Sequence, residues 1–196
     1  MSLQRFNRYN IYMCAKTNLI LIGMPGSGKS TIGRQLASQL GWSLVDTDDV
    51  IQAREKQTLQ GILDASGVSG FIRKEADAIC SLQVDRRVIA TGGSVVLDRQ
   101  AMAHLRRLGW IIYLHVPLSK IERRLWNLKT RGIVIKKNQS IRDIYQIRRP
   151  LYERYADRTV HTGGLSATQI VSEILAWFET VQSKENHTDT GGTIHD

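Results

Sequence analysis

The chain has 196 residues, of which 42% are hydrophobic and 23% charged, a composition typical of one globular domain rather than of a fibrous or disordered protein. No apolar run approaches the roughly 20 residues that a transmembrane helix needs, and the first residues lack the apolar segment of a secretory signal. The formal charge of +9 is concentrated between Arg123 and Arg158, a local clustering that favours a polyphosphate site over a nucleic-acid surface.

Short apolar runs alternate with stretches of helical periodicity along the chain. Strands are predicted at 18–22, 43–46, 88–91, 110–116 and 159–161. Helices are predicted at 30–40, 48–56, 59–63, 69–84, 99–108, 119–128, 140–155 and 166–183. This alternation predicts an α/β fold with a parallel sheet and helices on both of its faces. In such a fold, ligands bind beyond the carboxyl ends of the strands.

The predicted organisation is one domain over residues 17–183. Residues 1–16 are expected to form a flexible extension, residues 129–139 a basic lid, and residues 184–196 a disordered tail without periodicity. Cys14 and Cys80 match no metal-binding or redox spacing, and Cys80 is predicted to face the core. The histidines at 104, 115 and 161 are isolated in the sequence and are predicted to be surface or packed residues rather than metal ligands.

The segment Gly23–Ser30 reads GMPGSGKS and fits G-x-x-x-x-G-K-[ST], between a predicted strand and a predicted helix. Glycines let successive backbone N–H groups turn toward a phosphate, and the helix N-terminus adds partial positive charge. Lys29 is predicted to contact the β- and γ-phosphates of ATP, and Ser30 to bind Mg²⁺. The predicted nucleotide-binding residues of this segment are Gly23, Gly26, Ser27, Gly28, Lys29, Ser30 and Thr31.

Three aspartates follow the second predicted strand at 46, 48 and 49. A nucleotide-bound Mg²⁺ needs a carboxylate near the Ser30 hydroxyl, and a hydroxyl nucleophile needs a group that accepts or orients its proton. Asp46 and Asp48, two positions apart, can serve both needs. Because aspartate is a preferred N-cap residue, one of the three is expected to cap the following helix, and Asp49 is the one predicted to do so.

Taken together, these motifs resemble the shikimate kinase family. To the phosphate loop and the D-x-D of Asp46–Asp48 the chain adds a variant of the F-R-x-x-E helix at 71–75, a glycine-rich loop at 91–93, a lid arginine at 131 and R-x-P-L-Y at 148–152. The resemblance runs from about Asn18 to Phe178. It implies a P-loop kinase fold with a five-stranded parallel sheet in the order 2-3-1-4-5 and a mobile lid.

The resemblance also implies roles for individual residues. Asp46 would serve Mg²⁺, Asp48 would bind and help deprotonate the acceptor hydroxyl, and Arg124 would lie on the nucleotide side. Arg131 would close on the phosphates from the lid and is predicted, with Lys29 and Asp48, to be catalytic. The predicted acceptor-binding residues are Asp48, Arg73, Glu75, Gly92, Gly93 and Arg148, of which Arg148 would hold the acceptor carboxylate.

The chain departs from the family at three positions, all on the acceptor or lid side: Thr91 replaces a glycine, Gly132 replaces a proline, and Ile72 replaces an arginine. The family has an arginine directly after the phenylalanine of the F-R-x-x-E helix, where it also pairs with the shikimate carboxylate. This chain has Ile72 there and Arg73 one position later, which on a helix is about 100° away. Arg73 therefore cannot simply take the place of the missing arginine.

The resemblance implies an ATP- and Mg²⁺-dependent kinase, expected to be a cytoplasmic monomer without nucleic-acid or membrane partners, that phosphorylates shikimate for aromatic amino acid biosynthesis. The sequence leaves two alternative functions open. One is a kinase of the same build for another hydroxylated metabolite, such as a sugar acid. The other is a non-catalytic module that binds a nucleotide or a nucleic acid, which steep salt dependence of DNA binding would support.

Overall fold

A computed structural model of the chain describes residues 16–126, 134 and 139–189. The strands are β1 (Asn18–Ile22), β2 (Ser43–Asp46), β3 (Arg87–Ala90), β4 (Gly109–His115) and β5 (Arg158–His161). The helices are α1 (Lys29–Leu40), α2 (Thr47–Glu55), α3 (Leu59–Cys80), α4 (Arg99–Leu108), α5 (Leu118–Trp126), α6 (Ile141–Tyr155) and α7 (Ala167–Asp189). No helix among these residues is both long and apolar enough to cross a membrane.

The five strands form one parallel sheet in the order β2-β3-β1-β4-β5, which confirms the predicted fold. The central strand β1 is wholly buried, as expected for a parallel sheet that is covered on both faces. Its side chains alternate, so that Leu19 and Leu21 face α1 and α7 while Ile20 and Ile22 face α3 to α6. The reversal of strand order beside β1 opens the crevice in which such sheets bind ligands.

Asn18 fixes the amino-terminal end of the central strand β1. Its side-chain amide donates to the carbonyl oxygens of Val84 at 2.9 Å and Leu108 at 2.7 Å, and its Oδ1 accepts from the Arg87 N–H at 2.9 Å. These bonds satisfy a completely buried amide, which would otherwise be costly. They also tie β1 to the starts of both neighbouring strands, which fixes the position of the loop at the other end of β1.

Several element boundaries differ from the sequence prediction. The helices predicted at 59–63 and 69–84 are one element, α3, which bends at Gly67, where φ is 66° and ψ is 179°. Gly67 tolerates this left-handed φ because it has no Cβ, and the helix resumes beyond it. Cys80, predicted to face the core, is exposed at the last position of α3.

The two ends of the predicted domain also differ. Helix α7 continues to Asp189, six residues beyond the predicted helix end at 183, so the predicted tail begins within a helix. At the other end, Lys16 was assigned to a flexible extension but contacts the domain. Its Nζ lies 3.0 Å from a carboxylate oxygen of Asp157 and 4.1 Å from the ring centre of Trp110. The rest of both predicted end segments lies outside the described residues, or is described in its backbone alone.

Candidate active site

A cleft of about 1070 Å³ opens at the carboxyl edge of the sheet. Its walls are the loops that follow β1, β2 and β3, together with residues from α1, α3, α5 and α6. We call the loop Gly23–Ser30, Asp46 and Arg124 the nucleotide half of the cleft. We call Asp48, Glu75, Gly92, Gly93 and Arg148 the acceptor half.

The loop at the end of β1 has the backbone that its glycines permit. Gly26 has a φ of 76° and Gly28, the N-cap of α1, a φ of 96°, both in the left-handed region that side chains with a Cβ rarely adopt. Ser27 N–H donates to the Met24 carbonyl at 3.1 Å and closes the turn. The loop therefore brings the N-terminus of α1 to the cleft, as an anion-binding loop requires.

Lys29 is 7% exposed, and its ammonium group lies inside this loop. Nζ donates to the carbonyl oxygens of Gly23 and Met24, both at 2.9 Å, and to the Ser27 hydroxyl at 3.3 Å. Burial lowers the pKa of Lys29 to about 8, against the opposing effect of Asp48, Asp46 and Glu75. A bound phosphate would add a direct anionic partner for this buried cation.

Ser30, the last residue of the loop, and Asp46 bring two oxygen-bearing side chains together. The Ser30 hydroxyl donates to Asp46 Oδ2 at 2.6 Å, and Asp46 Oδ1 accepts from the Asp48 N–H at 3.1 Å. The second bond makes Asp46 the N-cap of α2, so the prediction that Asp49 caps this helix is wrong. Asp46 can accept from both Ser30 and the helix N-terminus because its backbone is extended and each bond uses a different carboxylate oxygen.

Asp48 lines the cleft close to the buried carboxylate of Glu75. The two carboxylates meet at Gly92: a Cβ added there would collide with Glu75 Oε1 and approach Asp48 Oδ1 to 3.1 Å. The Gly92 N–H donates to the Thr47 hydroxyl at 3.1 Å, which joins the loops after β2 and β3. Gly92 is therefore required for close packing, and it sets the distance between Asp48 and the glycine-rich loop.

Glu75 is 1% exposed at the floor of the acceptor half. Its Oε2 accepts from the Ser94 hydroxyl at 2.6 Å, whereas its Oε1 has no hydrogen-bond partner among the described residues. Burial raises the pKa of Glu75 to about 7, the bond from Ser94 opposes that rise, and the charge of Asp48 adds to it. The site thus holds a carboxyl group that is poised between its two protonation states near neutral pH.

Arg148, on α6, reaches the same region from the other wall and is 3% exposed. Its guanidinium donates to the Gly93 carbonyl at 3.1 Å and to the Val134 carbonyl at 2.5 Å. The Tyr152 hydroxyl also donates to the Gly93 carbonyl, at 2.6 Å. The adjacent Arg149 is exposed and bonds to Glu153 at 2.8 Å, so of the two arginines only Arg148 lines the cleft.

The remaining predicted site residues have different positions. Arg124 lines the nucleotide half and donates to the Gly26 carbonyl at 2.9 Å. Arg73 is exposed and lies outside the described lining of the cleft, because its step along α3 turns it away. Ile72 is half-buried against the apolar cluster that contains Phe71 and Val134. Arg131 and most of the predicted lid lie outside the described residues.

Three polar residues of the site were not singled out from the sequence: Thr47, Ser94 and Tyr152. In each case the sequence feature that could have indicated the residue is its position next to, or within, a selected motif. Thr47 lies between two selected aspartates, Ser94 follows the two selected glycines, and Tyr152 ends the motif that begins at Arg148. Their hydrogen-bond partners come from other elements of the fold, and sequence spacing alone does not indicate such pairings.

The sequence model of the shikimate kinase family matches residues 25–179. The chain belongs to the shikimate kinase family. A shikimate kinase from Actinobacillus succinogenes is 38% identical over 167 residues, which are 83% of this chain and 95% of the relative. A shikimate kinase from Haemophilus influenzae (strain PittEE) is 37% identical over 83% of this chain and 93% of its own length. The family consists of ATP-dependent small-molecule kinases, so the reading as a non-catalytic module is not supported.

Solved structures agree with the family assignment. A shikimate kinase from Acinetobacter baumannii, in complex with shikimate, superposes with a TM-score of 0.77 at 30% identity, over 85% of this chain and 94% of that structure. That complex has an acceptor in a protein of the same fold. The predicted resemblance is therefore confirmed for the family and for the fold.

Proposed function

We propose that this protein transfers the γ-phosphoryl group of ATP to a hydroxyl group of shikimate. The observation that carries the proposal is the convergence of a phosphate-binding loop, an oxygen-ligand pair, a carboxylate and a buried arginine on one cleft. The family assignment supports this reaction, because the relatives that match most of the chain are shikimate kinases.

In the nucleotide half, the loop N–H groups and the start of α1 would bind the phosphates. Lys29 would leave the carbonyls of Gly23 and Met24 and follow the charge that develops on the transferred group. Arg124, already at the Gly26 carbonyl, would cover the nucleotide from α5. These residues position the phosphates and stabilise charge, which is most of what phosphoryl transfer requires of a protein.

The Ser30 hydroxyl and the Asp46 carboxylate fit Mg²⁺, a hard cation that prefers oxygen ligands. They lie 2.6 Å apart, both partly buried, beside the loop that would hold the phosphates. We propose that they hold the ion directly or through water. When bound, Mg²⁺ would neutralise part of the negative charge of the phosphates.

In the acceptor half, Asp48 would accept or orient the proton of the attacking hydroxyl. Arg148 would hold the acceptor carboxylate by exchanging its bond to the Val134 carbonyl for a charge-assisted one. Glu75 and the Gly92–Gly93 backbone would contact the acceptor ring substituents. We expect Arg131 to approach the phosphates from the lid, a role that stays a prediction.

A second candidate acceptor class is supported by Ile72. Without an arginine at this position, Arg148 is the arginine of the acceptor half that would be available to a carboxylate, since Arg73 lies outside the described lining of the cleft. A hydroxylated metabolite such as a sugar acid, held mainly through hydroxyl groups, would lose less from that change. The transfer chemistry would be the same, because it depends on the other half of the cleft.

We further propose that the enzyme acts in the cytoplasm as a monomer and without a nucleic-acid partner. The clustering of its excess positive charge around a phosphate site supports the last point. Elution as a dimer in size-exclusion chromatography, or salt-sensitive DNA binding, would contradict the corresponding statement.

The experiment that tests the proposed function measures ADP release from ATP and Mg²⁺ in the presence of shikimate, gluconate and several polyols. Shikimate is expected to give the highest kcat/KM. If gluconate or another polyol gives a clearly higher value, the acceptor assignment is wrong while the kinase assignment stands. Comparing Asp48→Asn with the wild type for each active acceptor shows whether the turnover depends on this cleft.

A further inference from the structure

Two histidines that are far apart in the sequence come together outside the catalytic cleft. His115 ends β4 and His161 ends β5, and the parallel register pairs them directly. Paired residues of adjacent parallel strands point to the same face, so the backbone itself places both rings side by side. Their Nδ1 atoms lie 3.0 Å apart and their ring centres 4.8 Å apart.

The two histidines, which are isolated in the sequence, are therefore packed against each other in the fold. Two nitrogens at 3.0 Å share one proton at most, since two N–H groups pointing at each other would repel. At least one Nδ1 therefore offers a lone pair toward its partner. Imidazole nitrogens in this state are ligands for divalent transition metal ions.

A third side chain fixes the orientation of one ring. The hydroxyl of Tyr145, a buried residue of α6, lies 3.1 Å from His115 Nε2. Tyr113 packs its edge against the same imidazole, with ring centres 5.7 Å apart. A partner on the second ring nitrogen holds a histidine in the tautomer and orientation that metal binding requires. His115 thus presents Nδ1, not Nε2, to His161.

The charged side chains that interact with His115 from α6 are Arg149 and Glu153. They bond to each other at 2.8 Å, so the cation beside the histidine pair is compensated. His161 is exposed, which leaves room for water to complete the coordination of an ion.

The nitrogen donors indicate which ions fit. Imidazole nitrogens suit Ni²⁺, Cu²⁺ and Zn²⁺, and Ni²⁺ and Cu²⁺ stand near the top of the affinity order for divalent ions. The observed 3.0 Å is the length of a hydrogen bond between the two rings. Both rings must rotate away from this bond so that their lone pairs converge on one ion.

We infer that His115 and His161 form a transition-metal site at the β4–β5 edge, with Tyr145 as the group that positions His115. Neither histidine is part of the described lining of the catalytic cleft, so the site is distinct from the Ser30–Asp46 pair. An ion bound there would join the edge strand β5 to β4 across the sheet.

The test is calorimetric titration with Ni²⁺ of an untagged protein in which His187 and His195, the two C-terminal histidines, are both replaced by Asn. This background is expected to bind one Ni²⁺ and to gain thermal stability from it, because an ion that binds only the folded state stabilises it. His161→Asn should weaken binding at least about tenfold and abolish the gain in Tm. Tyr145→Phe should weaken binding about tenfold, as loss of an orienting partner commonly does.

Two controls separate this site from others. His104→Asn removes a histidine on α4 that bonds to the Leu82 carbonyl, and Asp46→Asn removes the carboxylate proposed to bind Mg²⁺. Both should leave Ni²⁺ binding unchanged. Binding that is equal in the background and in His161→Asn, or that is lost in Asp46→Asn, would overturn the proposed site. Tighter binding of Zn²⁺ than of Ni²⁺ would overturn the choice of ion.

Discussion

In the nucleotide half of the cleft every motif position of the family is present, and its polar groups are paired: Lys29 with loop carbonyls, Ser30 with Asp46, and Arg124 with Gly26. The acceptor half departs from the family at the neighbouring Ile72. It contains the buried carboxyl of Glu75, whose Oε1 has no hydrogen-bond partner in the described part of the chain, and Arg148, which donates to two main-chain carbonyls. Lys29 and Arg148 would each exchange main-chain bonds for a ligand. The first half nevertheless matches the family pattern on a loop that is already folded, whereas the second departs from that pattern.

This difference separates two questions. The transfer chemistry depends on positioning and charge stabilisation at the phosphates, and the residues proposed for it, apart from Arg131 outside the described residues, lie together in the nucleotide half. The choice of acceptor depends on a few charged groups whose number differs from the family pattern. Changes in the nucleotide half should therefore abolish turnover with every acceptor, and changes in the acceptor half should alter the ranking of acceptors.

The largest expected effect is that of Asp48→Asn. Loss of a general base commonly costs on the order of 10²–10⁴ in rate, so kcat should fall by that factor while the affinity for ATP changes little. Steady-state kinetics together with ATP titration check both parts.

Asp46→Asn and Asp49→Asn are the matched controls for Asp48→Asn. Asp46→Asn should raise the Mg²⁺ concentration needed for half-maximal rate, because it removes a proposed ligand of the ion. Asp49→Asn, in the exposed first turn of α2, should change either quantity little. Identical Mg²⁺ dependence of the Asp46 and Asp48 variants would contradict the division of roles between the two halves.

Lys29→Met should lower kcat by on the order of 10²–10³, because it removes a cation that meets charge developing at the phosphates. The loss should be similar for every acceptor tested, since Lys29 belongs to the nucleotide half. Circular dichroism and the unfolding temperature check that the fold is intact. Near-normal turnover in a folded variant would refute the phosphate-site assignment.

Glu75→Gln should change the pH dependence of stability. Burial raises the pKa of Glu75 from 4.5 to about 7, so its contribution to stability is full below about pH 4.5 and is lost as pH rises through 7. A shift of this size corresponds to about 3 kcal/mol. The variant, which cannot ionise, should gain up to that amount over the wild type between pH 5 and pH 8.

Chemical denaturation at several pH values measures this difference. The control is Glu179→Gln, which alters an exposed glutamate on α7 and should follow the wild type throughout. A constant difference between wild type and Glu75→Gln across this pH range would show that Glu75 is already ionised in the folded protein.

The smallest effect is expected for Ile72→Arg. A second arginine near the acceptor carboxylate would add a charge-assisted bond, so KM for shikimate should fall about tenfold at similar kcat. Ile72→Leu keeps the side chain apolar and should behave like the wild type. If shikimate turnover worsens in Ile72→Arg while another acceptor is the better substrate of the wild type, Ile72 packs against an apolar part of that acceptor.

The sequence predicted the sheet and the phosphate loop because their signals are local. β1 is an uninterrupted apolar run, and Gly23–Ser30 fits its motif between a strand and a helix. The bend at Gly67 and the capping of α2 by Asp46 were missed. The sequence does not show which φ a glycine adopts within a helical pattern. Nor does it show which of three neighbouring aspartates caps the helix, because all three have the same side chain.

The buried state of Glu75 and the His115–His161 pair were missed for another reason. Each depends on partners that are 19 or 46 positions away along the chain, and only the folded sheet brings them together. The same limit applies to Arg73: helical geometry indicated that it could not replace the missing arginine, and its exposed position agrees with that argument. The spacing of residues along one helix or strand could be predicted from the sequence, whereas contacts between different elements could not.

The most direct test of the central claim is ADP release from ATP and Mg²⁺ by the wild type, with and without shikimate, alongside Asp48→Asn. The proposed function predicts that shikimate stimulates ADP release strongly, that one shikimate phosphate forms for each ADP, and that Asp48→Asn abolishes this stimulation. Stimulation by a different acceptor together with none by shikimate would contradict the acceptor assignment. Stimulation that persists in Asp48→Asn would contradict the assignment of the reaction to this cleft.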